Sequence, residues 1–329
     1  MTYRAALIGC GKIGSEFADD PRVEGIYSHA GAYNACSKTT LVAVCDTDLE
    51  RSHRCGDRWG VAARYSDPER LLQEQRPEIV SICTPDRTHD SLLQLVLESP
   101  GVRAVLAEKP LSLSAHDAAR LVERAHQRGV LLAVNYIRRY ASSHEKLRKF
   151  LALGGIGDIQ SVNGYYTKGI FHNGTHWFDL ARYLVGEVAE VRGIHNLVAS
   201  AEDPTLDACL KFESGARGYL HGCDTACFTI LEMDLLGTLG RVRILDSGHR
   251  IEFYAVKESP YYSGYLNLSP SKDLGGGFHN VLLNAVEDLV ECLEENRAPR
   301  CRGEDGLAAL RIATAAHDTA SQVLGRRLQ

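Results

Sequence analysis

His172 and His176 stand four residues apart in the stretch GIFHNGTHWFDL, residues 169–180, with Asp179 three further on. On a helix these spacings bring all three to one face. Two chemistries use such a set. An imidazole with an ordinary pKa of about 6.5 exchanges protons near neutrality, and two histidines with a carboxylate resemble a transition-metal ligand set. Asn173 and Gly174 suit a loop or a first helical turn better than a rigid ligand platform, so no metal is expected. Asp179 then belongs to helix packing or a supporting polar shell, and Trp177, Phe178, Leu180 and Leu184 to the core.

Lys109, in AEKP (107–110), is a second group suited to proton exchange. Held between an apolar run and a proline, a lysine is partly buried, which lowers its affinity for a proton. Anchoring cofactor or substrate hydroxyls is the alternative role. A third constellation is IGCGKIG, with Gly9, Gly11 and Gly14 directly after an apolar run and at the expected start of a helix. In a dinucleotide site the first glycine permits a tight turn, the second lets the backbone approach a pyrophosphate, and the third lets helix and strand close. The helix N-terminus then faces the phosphates, and Lys12 and Ile13 complete the loop. Asp46 ends the next apolar run, where a carboxylate accepts hydrogen bonds from ribose hydroxyls and repels a 2′-phosphate. NAD is therefore favoured over NADP. Thr84, Pro85 and His89 of CTPDRTH, and Glu108 beside Lys109, follow later strands and fall on the same side of the sheet.

These groups need a scaffold. The runs YRAALIG, TLVAVCD, EIVSICTP, RAVLAEKP and VLLAVN are apolar throughout and alternate with helical segments, which predicts an α/β fold with a doubly wound parallel sheet. After residue 136 the pattern becomes strand-like segments separated by turn residues, from EVAEVRGIHNLVA to HRIEFYAV, closed by two helices. A chain of 329 residues exceeds one ordinary core, so we expect a dinucleotide-binding domain over 1–136 and a substrate-binding and oligomerisation domain over 137–329.

A formal net charge of −5 offers no general attraction for nucleic acid or an anionic membrane. No apolar run approaches the roughly 20 residues that cross a bilayer, and the N-terminus does not read as a signal peptide, so a cytoplasmic location is expected. The ten cysteines include no Cys-x-x-Cys pair and read mostly as buried, reduced side chains. Among weaker polar candidates, Arg139 of RRY (138–140) suits hydroxyl or phosphate binding, or an interdomain ion pair. Tyr166 lies on a strand whose alternate side chains can face substrate, and His279 ends the loop GGGFHN.

With IGCGKIG, CTPDRTH, AEKP, RRY and HNGTHWFD in this order, and GEDGLAALRIATAA near the C-terminus, the chain resembles the Gfo/Idh/MocA family of glucose-fructose oxidoreductase and inositol dehydrogenase relatives. The resemblance implies a Rossmann domain followed by an α/β domain with a large, mainly antiparallel open sheet, whose exposed face forms homodimers or homotetramers. It also implies hydride transfer between a nicotinamide and a carbinol carbon of a sugar, cyclitol or nucleotide-linked sugar. The family's lysine matches Lys109, and the histidine of its Asp-x-x-x-His pair matches His176. His172 occupies the place of the aspartate, which removes a negative charge and leaves Lys109, His176 and His172 as the catalytic set, with Asn173 beside them for substrate. Two other readings fit the same residues: a non-catalytic NAD-binding sensor or regulator, and an enzyme that uses tightly held NAD for elimination or epimerisation.

Overall fold

The computed structural model describes residues 2–195 and 203–327. Its first part runs β1 (Tyr3–Ile8), α1 (His29–Ala35), β2 (Thr39–Cys45), α2 (Leu49–Trp59), β3 (Ala63–Tyr65), α3 (Pro68–Gln75), β4 (Ile79–Ile82), α4 (His89–Glu98), β5 (Ala104–Ala107), α5 (Ala115–Arg128) and β6 (Leu131–Val134). Every residue of β4 and β5 is buried, as helices on both faces of a sheet require. All pairings are parallel, in the order β3-β2-β1-β4-β5-β6. The direction of winding reverses between β1 and β4, and open α/β sheets bind ligands at the carboxyl ends of such a switch point. β3 is too short to leave a periodic signal, and it was not anticipated.

The helix expected to open at Gly14 is not there. Residues 11–15 form a turn in which Ser15 N donates to Gly11 O at 2.8 Å, Glu16–Asp19 form a 3-10 turn, and the α-helix of this crossover begins at His29. Pro21 explains the delay: it lacks an N–H and disfavours helical geometry at Asp20, which is extended (φ −78°, ψ 115°). Ser28 then starts α1 by accepting from Gly31 N.

The remaining elements are α6 (Ser142–Ala152), β7 (Ile159–Tyr166), α7 (Thr175–Val185), β8 (Val188–His195), β9 (Leu206–Phe212), β10 (Arg217–Gly222), β11 (Leu231–Gly237), β12 (Gly240–Leu245), β13 (Arg250–Glu258), β14 (Leu266–Gly275), α8 (Val281–Glu295) and α9 (Gly303–Arg327). Eight strands form one sheet, ordered β14-β13-β12-β11-β7-β10-β9-β8, in which only β7 and β10 pair in parallel. Burial alternates along β9, β11 and β12, so one face of the sheet is packed and the other open. The segment 196–199, expected to continue β8, lies outside the described residues.

Packing divides the chain differently from the boundary expected at 136/137. The described residues up to 141 together with 279–307 form one compact unit, and the described residues of 142–278 and from 308 onward form the other. The RRY turn stays with the first unit because Arg139 pairs with Asp305 at 3.3 Å and Asn284 Nδ2 donates to Tyr140 O at 2.8 Å. α8 packs on α1, so the first of the two closing helices belongs to the dinucleotide half. No helix among the described residues is long and apolar enough to cross a membrane.

Candidate functional site

The glycine turn follows β1. Gly9 has φ +97°, the left-handed region that disfavours side chains, and a Cβ there would stand 2.6 Å from the backbone of Cys83 after β4. A Cβ on Gly14 would stand 2.1 Å from Gly9 O. The protein's own packing therefore demands both residues. Gly11 is different: a Cβ there would meet nothing within 4 Å. An open flank is what an approaching pyrophosphate uses. The amides of Gly11, Lys12 and Ile13 make no hydrogen bond among the described residues, leaving successive donors suited to phosphate oxygens. The first amides of α1 do not serve this purpose, since His29 N donates to Ile13 O (3.0 Å) and Ala30 N to Gly14 O (2.9 Å). The turn replaces the helix N-terminus expected here.

Asp46, after β2, fastens this turn. Its Oδ2 accepts from Cys10 N at 2.8 Å and its Oδ1 from Asp48 N at 2.9 Å, with Arg51 Nη1 at 3.8 Å. Each carboxylate oxygen keeps a lone pair for a ribose hydroxyl. Asp46→Ala leaves the buried Cys10 amide unpaired, which costs about 1–3 kcal/mol. We expect NAD affinity to fall about tenfold or more and the preference over NADP to narrow, as measured by titration calorimetry with each nucleotide. Equal losses for both would remove Asp46 from the ribose site.

Lys109 follows β5 and is 8% exposed, and its bond to Pro110 is cis. β1, β4 and β5 are neighbours, so two strand spacings, about 10 Å, separate the strand of Lys109 from that of the glycine turn. Beside Lys109, Glu108 Oε1 accepts from Asn135 Nδ2 at 2.6 Å and from His29 Nε2 at 3.1 Å. Burial disfavours its charged form, but the donors His29 and Asn135 and the positive charge of Lys109 outweigh that penalty and hold the carboxyl below the ordinary range. The protein itself thus fixes Glu108, which was expected to contact cofactor. Asn135 Oδ1 is buried without a partner, an orphaned acceptor beside Glu108 that suits a ligand N–H or O–H. Thr84 Oγ1 accepts from Thr88 Oγ1 at 2.7 Å, and Pro85 is exposed.

His89 is corrected from cofactor ligand to brace. Its ring is fully buried, with Nδ1 2.5 Å from Pro110 O and Nε2 2.8 Å from Thr84 O, so it ties the turn after β4 to the turn after β5. Arg139 is likewise corrected: its guanidinium pairs with Asp305, an ion pair with both side chains 8% exposed, and donates to Arg300 O. The expected ion pair exists, but within one unit. His279 is exposed, and its Nδ1 would lie 2.7 Å from a Cβ on Gly25, so it covers the first crossover.

In the second unit, residues 169–174 form a π-helical turn that leads into α7. Such turns recur at functional sites. Phe171 N and His172 N donate to the two carboxylate oxygens of Asp203, at 2.8 and 3.0 Å. Gly169 (φ +77°) makes room, since a Cβ there would touch that carboxylate. An acid therefore serves this turn although position 172 is histidine. His172 is exposed and His176 half-buried, so the two rings occupy different environments. Asn173 is half-buried between them, Asp179 is buried, and Trp177, Phe178, Leu180 and Leu184 are core as expected. Among the described residues no cluster of His, Cys, Asp or Glu is arranged to hold a metal ion. Tyr166 is corrected from substrate ligand to structural residue: fully buried, its hydroxyl accepts from Leu206 N and donates to Leu206 O, both at 2.8 Å.

His29, Asn135 and Asp203 escaped the sequence reading. His29 and Asn135 meet Glu108 across 79 and 27 residues, and Asp203 meets His172 across 31, with no local pattern to announce them. The Ser28 cap was the one available signal for the helix that carries His29.

Residues 3–136 match the family model described as an oxidoreductase family with an NAD-binding Rossmann fold, and residues 163–323 its C-terminal alpha/beta domain. The chain is similar to myo-inositol 2-dehydrogenase of Thermotoga maritima, 25% identical over 95% of each chain. It is also similar to scyllo-inositol 2-dehydrogenase (NAD(+)) of Bacillus subtilis, 24% identical over 95% of this chain and 92% of that one. Levoglucosan dehydrogenase in complex with NADH shares the fold, with a TM-score of 0.82 over 98% of each chain at 17% identity. An open glycine turn at a parallel-sheet switch point, a buried lysine two strands away, and models matching both halves of the chain together make this protein an NAD-binding oxidoreductase of the Gfo/Idh/MocA family.

Proposed function

We propose that the protein oxidises a secondary alcohol of a cyclitol or sugar, free or nucleotide-linked, to the ketone, and runs the reverse reduction when ketone is supplied. The observation that carries this reading is Lys109, nearly buried at the carboxyl end of β5 on the sheet that bears the open glycine turn. NAD, when bound, accepts the hydride. The amides of Gly11, Lys12 and Ile13 hold the pyrophosphate, Asp46 the ribose, and the orphaned Asn135 Oδ1 a ligand donor. Lys109 takes the hydroxyl proton, the step an alcohol oxidation requires of its enzyme. His176, His172 and Asn173, grouped in the second unit, supply polar groups suited to substrate hydroxyls. The inositol dehydrogenases among the relatives support a cyclitol as first choice.

We further infer a cytoplasmic homodimer or homotetramer. Tyr165 and Tyr219, on β7 and β10, are exposed on the open face of the large sheet, the kind of surface that self-association covers.

The test is the near-ultraviolet absorbance of reduced nicotinamide when protein and NAD are offered myo-inositol, scyllo-inositol, free sugars and nucleotide sugars in turn. A rise confined to one class supports the reading and names the substrate. Tight NAD binding with no rise from any of them contradicts it.

A further inference from the structure

A chain of buried polar groups lies beneath Lys109. Tyr33 and His29 of α1 and Ser81 of β4 are all fully buried. Tyr33 Oη is 2.7 Å from Ser81 Oγ, Ser81 Oγ is 2.8 Å from His29 Nδ1, and His29 Nε2 is 3.1 Å from Glu108 Oε1. With a neutral His29, donor accounting orders the chain. An ionised Glu108 only accepts, so His29 Nε2 and Asn135 Nδ2 both donate to it. His29 Nδ1 then accepts from Ser81, which accepts in turn from Tyr33. Every member of the chain is satisfied with the imidazole in one tautomer. The chain ends inside the core at Tyr33, so it moves no proton to solvent; its effect falls on Glu108.

We propose that His29 is a positioning residue for the reaction, holding the Glu108 carboxylate in place and ionised beside Lys109, so that a fixed negative charge sets the lysine's hold on its proton. The ordering of groups makes the effect directional. A negative neighbour stabilises the ammonium and raises the pH at which it releases its proton, and loss of that neighbour lowers it. Two further titratable groups feel the Glu108 charge, the Cys83 thiol after β4 and the Tyr27 phenol of the first crossover. Burial first, and the Glu108 charge second, pushes the thiol up. Burial likewise pushes the phenol up, with Arg138 opposing and Glu108 adding. Both stay neutral at working pH and leave His29, Asn135 and Lys109 as the groups that govern Glu108.

The proposal rests on the dehydrogenase reading for its consequence, but its test needs no substrate. Lysine labelled at Cε and Nζ reports each side chain's titration by NMR, with Lys109 assigned from the signal missing in Lys109→Arg. The probe variants are His29→Gln, which places an amide donor where Nε2 lies, and His29→Asn, which places one where Nδ1 lies and withdraws the donor from Glu108. Glu108→Gln removes the charge itself. We expect the Lys109 midpoint to fall by about one pH unit in Glu108→Gln, by about half as much in His29→Asn, and to stay at the wild-type value in His29→Gln. Equal midpoints in His29→Asn and His29→Gln overturn the proposal, whatever their melting temperatures. So does a wild-type midpoint in Glu108→Gln, a near-isosteric change that keeps the test decisive if His29→Asn does not fold. Failure of the dehydrogenase reading is distinct: it shows as absent hydride transfer in the wild-type protein with the titration order intact.

Discussion

Lys109→Ala is expected to lower kcat/KM for the alcohol by about 10²–10⁴-fold, the usual worth of a positioned general base. The loss should appear mainly in kcat, because the proton leaves the hydroxyl only as the reaction proceeds. NAD affinity should change little, since the nucleotide contacts proposed here, the glycine turn and Asp46, lie at the ends of β1 and β2 rather than of β5. Melting temperature is measured alongside, because removing Lys109 also withdraws a positive charge that helps keep the buried Glu108 ionised. Steady-state kinetics beside nucleotide titration separate these effects. A kcat within tenfold of wild type would move the base to His176, the half-buried imidazole at the start of α7.

Gly11→Val is expected to abolish measurable NAD binding while leaving the unliganded protein folded. The reason lies in the contrast between the glycines. Side chains at Gly9 and Gly14 would collide with backbone at 2.6 and 2.1 Å, so substitution there damages the fold and says nothing specific about nucleotide. A Cβ at Gly11 meets nothing within 4 Å among the described residues beyond its chain neighbours, so the obstacle expected there is the ligand. We expect the dissociation constant for NAD to rise by about 100-fold or more, near 3 kcal/mol, with the melting temperature without NAD within a few degrees of wild type. Stabilisation by added NAD, which follows from binding to the folded state alone, should vanish in this variant. Undiminished thermal stabilisation by NAD in Gly11→Val would show that the pyrophosphate lies elsewhere.

The parallel sheet was legible because strands buried on both faces must be apolar throughout, and β4 and β5 are buried at every position. The glycine turn was legible for a similar local reason: strand, turn and acidic strand end lie within one crossover. What surrounds the turn was not. Pro21 shifted the first helix to His29, which placed an imidazole in the core opposite strands 52 and 79 residues away in sequence. Alternation along β7 was readable but its phase was not: Tyr165 is exposed and Tyr166 buried, the reverse of what a substrate role for Tyr166 needs. His89 belongs to a motif on the correct side of the sheet, yet both its nitrogens face backbone carbonyls, a commitment that only three-dimensional proximity of the turns after β4 and β5 creates. The histidine at position 172 suggested a site without an acid; Asp203, 31 residues further on, instead accepts from the backbone amides of Phe171 and His172 and braces that turn.

The most direct test of hydride transfer follows the hydrogen itself. The alcohol identified by the absorbance screen is prepared with deuterium on its carbinol carbon and incubated with NAD and the wild-type protein, and the nicotinamide product is weighed by mass spectrometry. One deuterium in the released reduced cofactor, with Lys109→Ala giving none in the same interval, is the expected result. Deuterium retained in a rearranged or dehydrated sugar, with no label in released cofactor, would contradict it and make the protein an enzyme that borrows hydride and returns it.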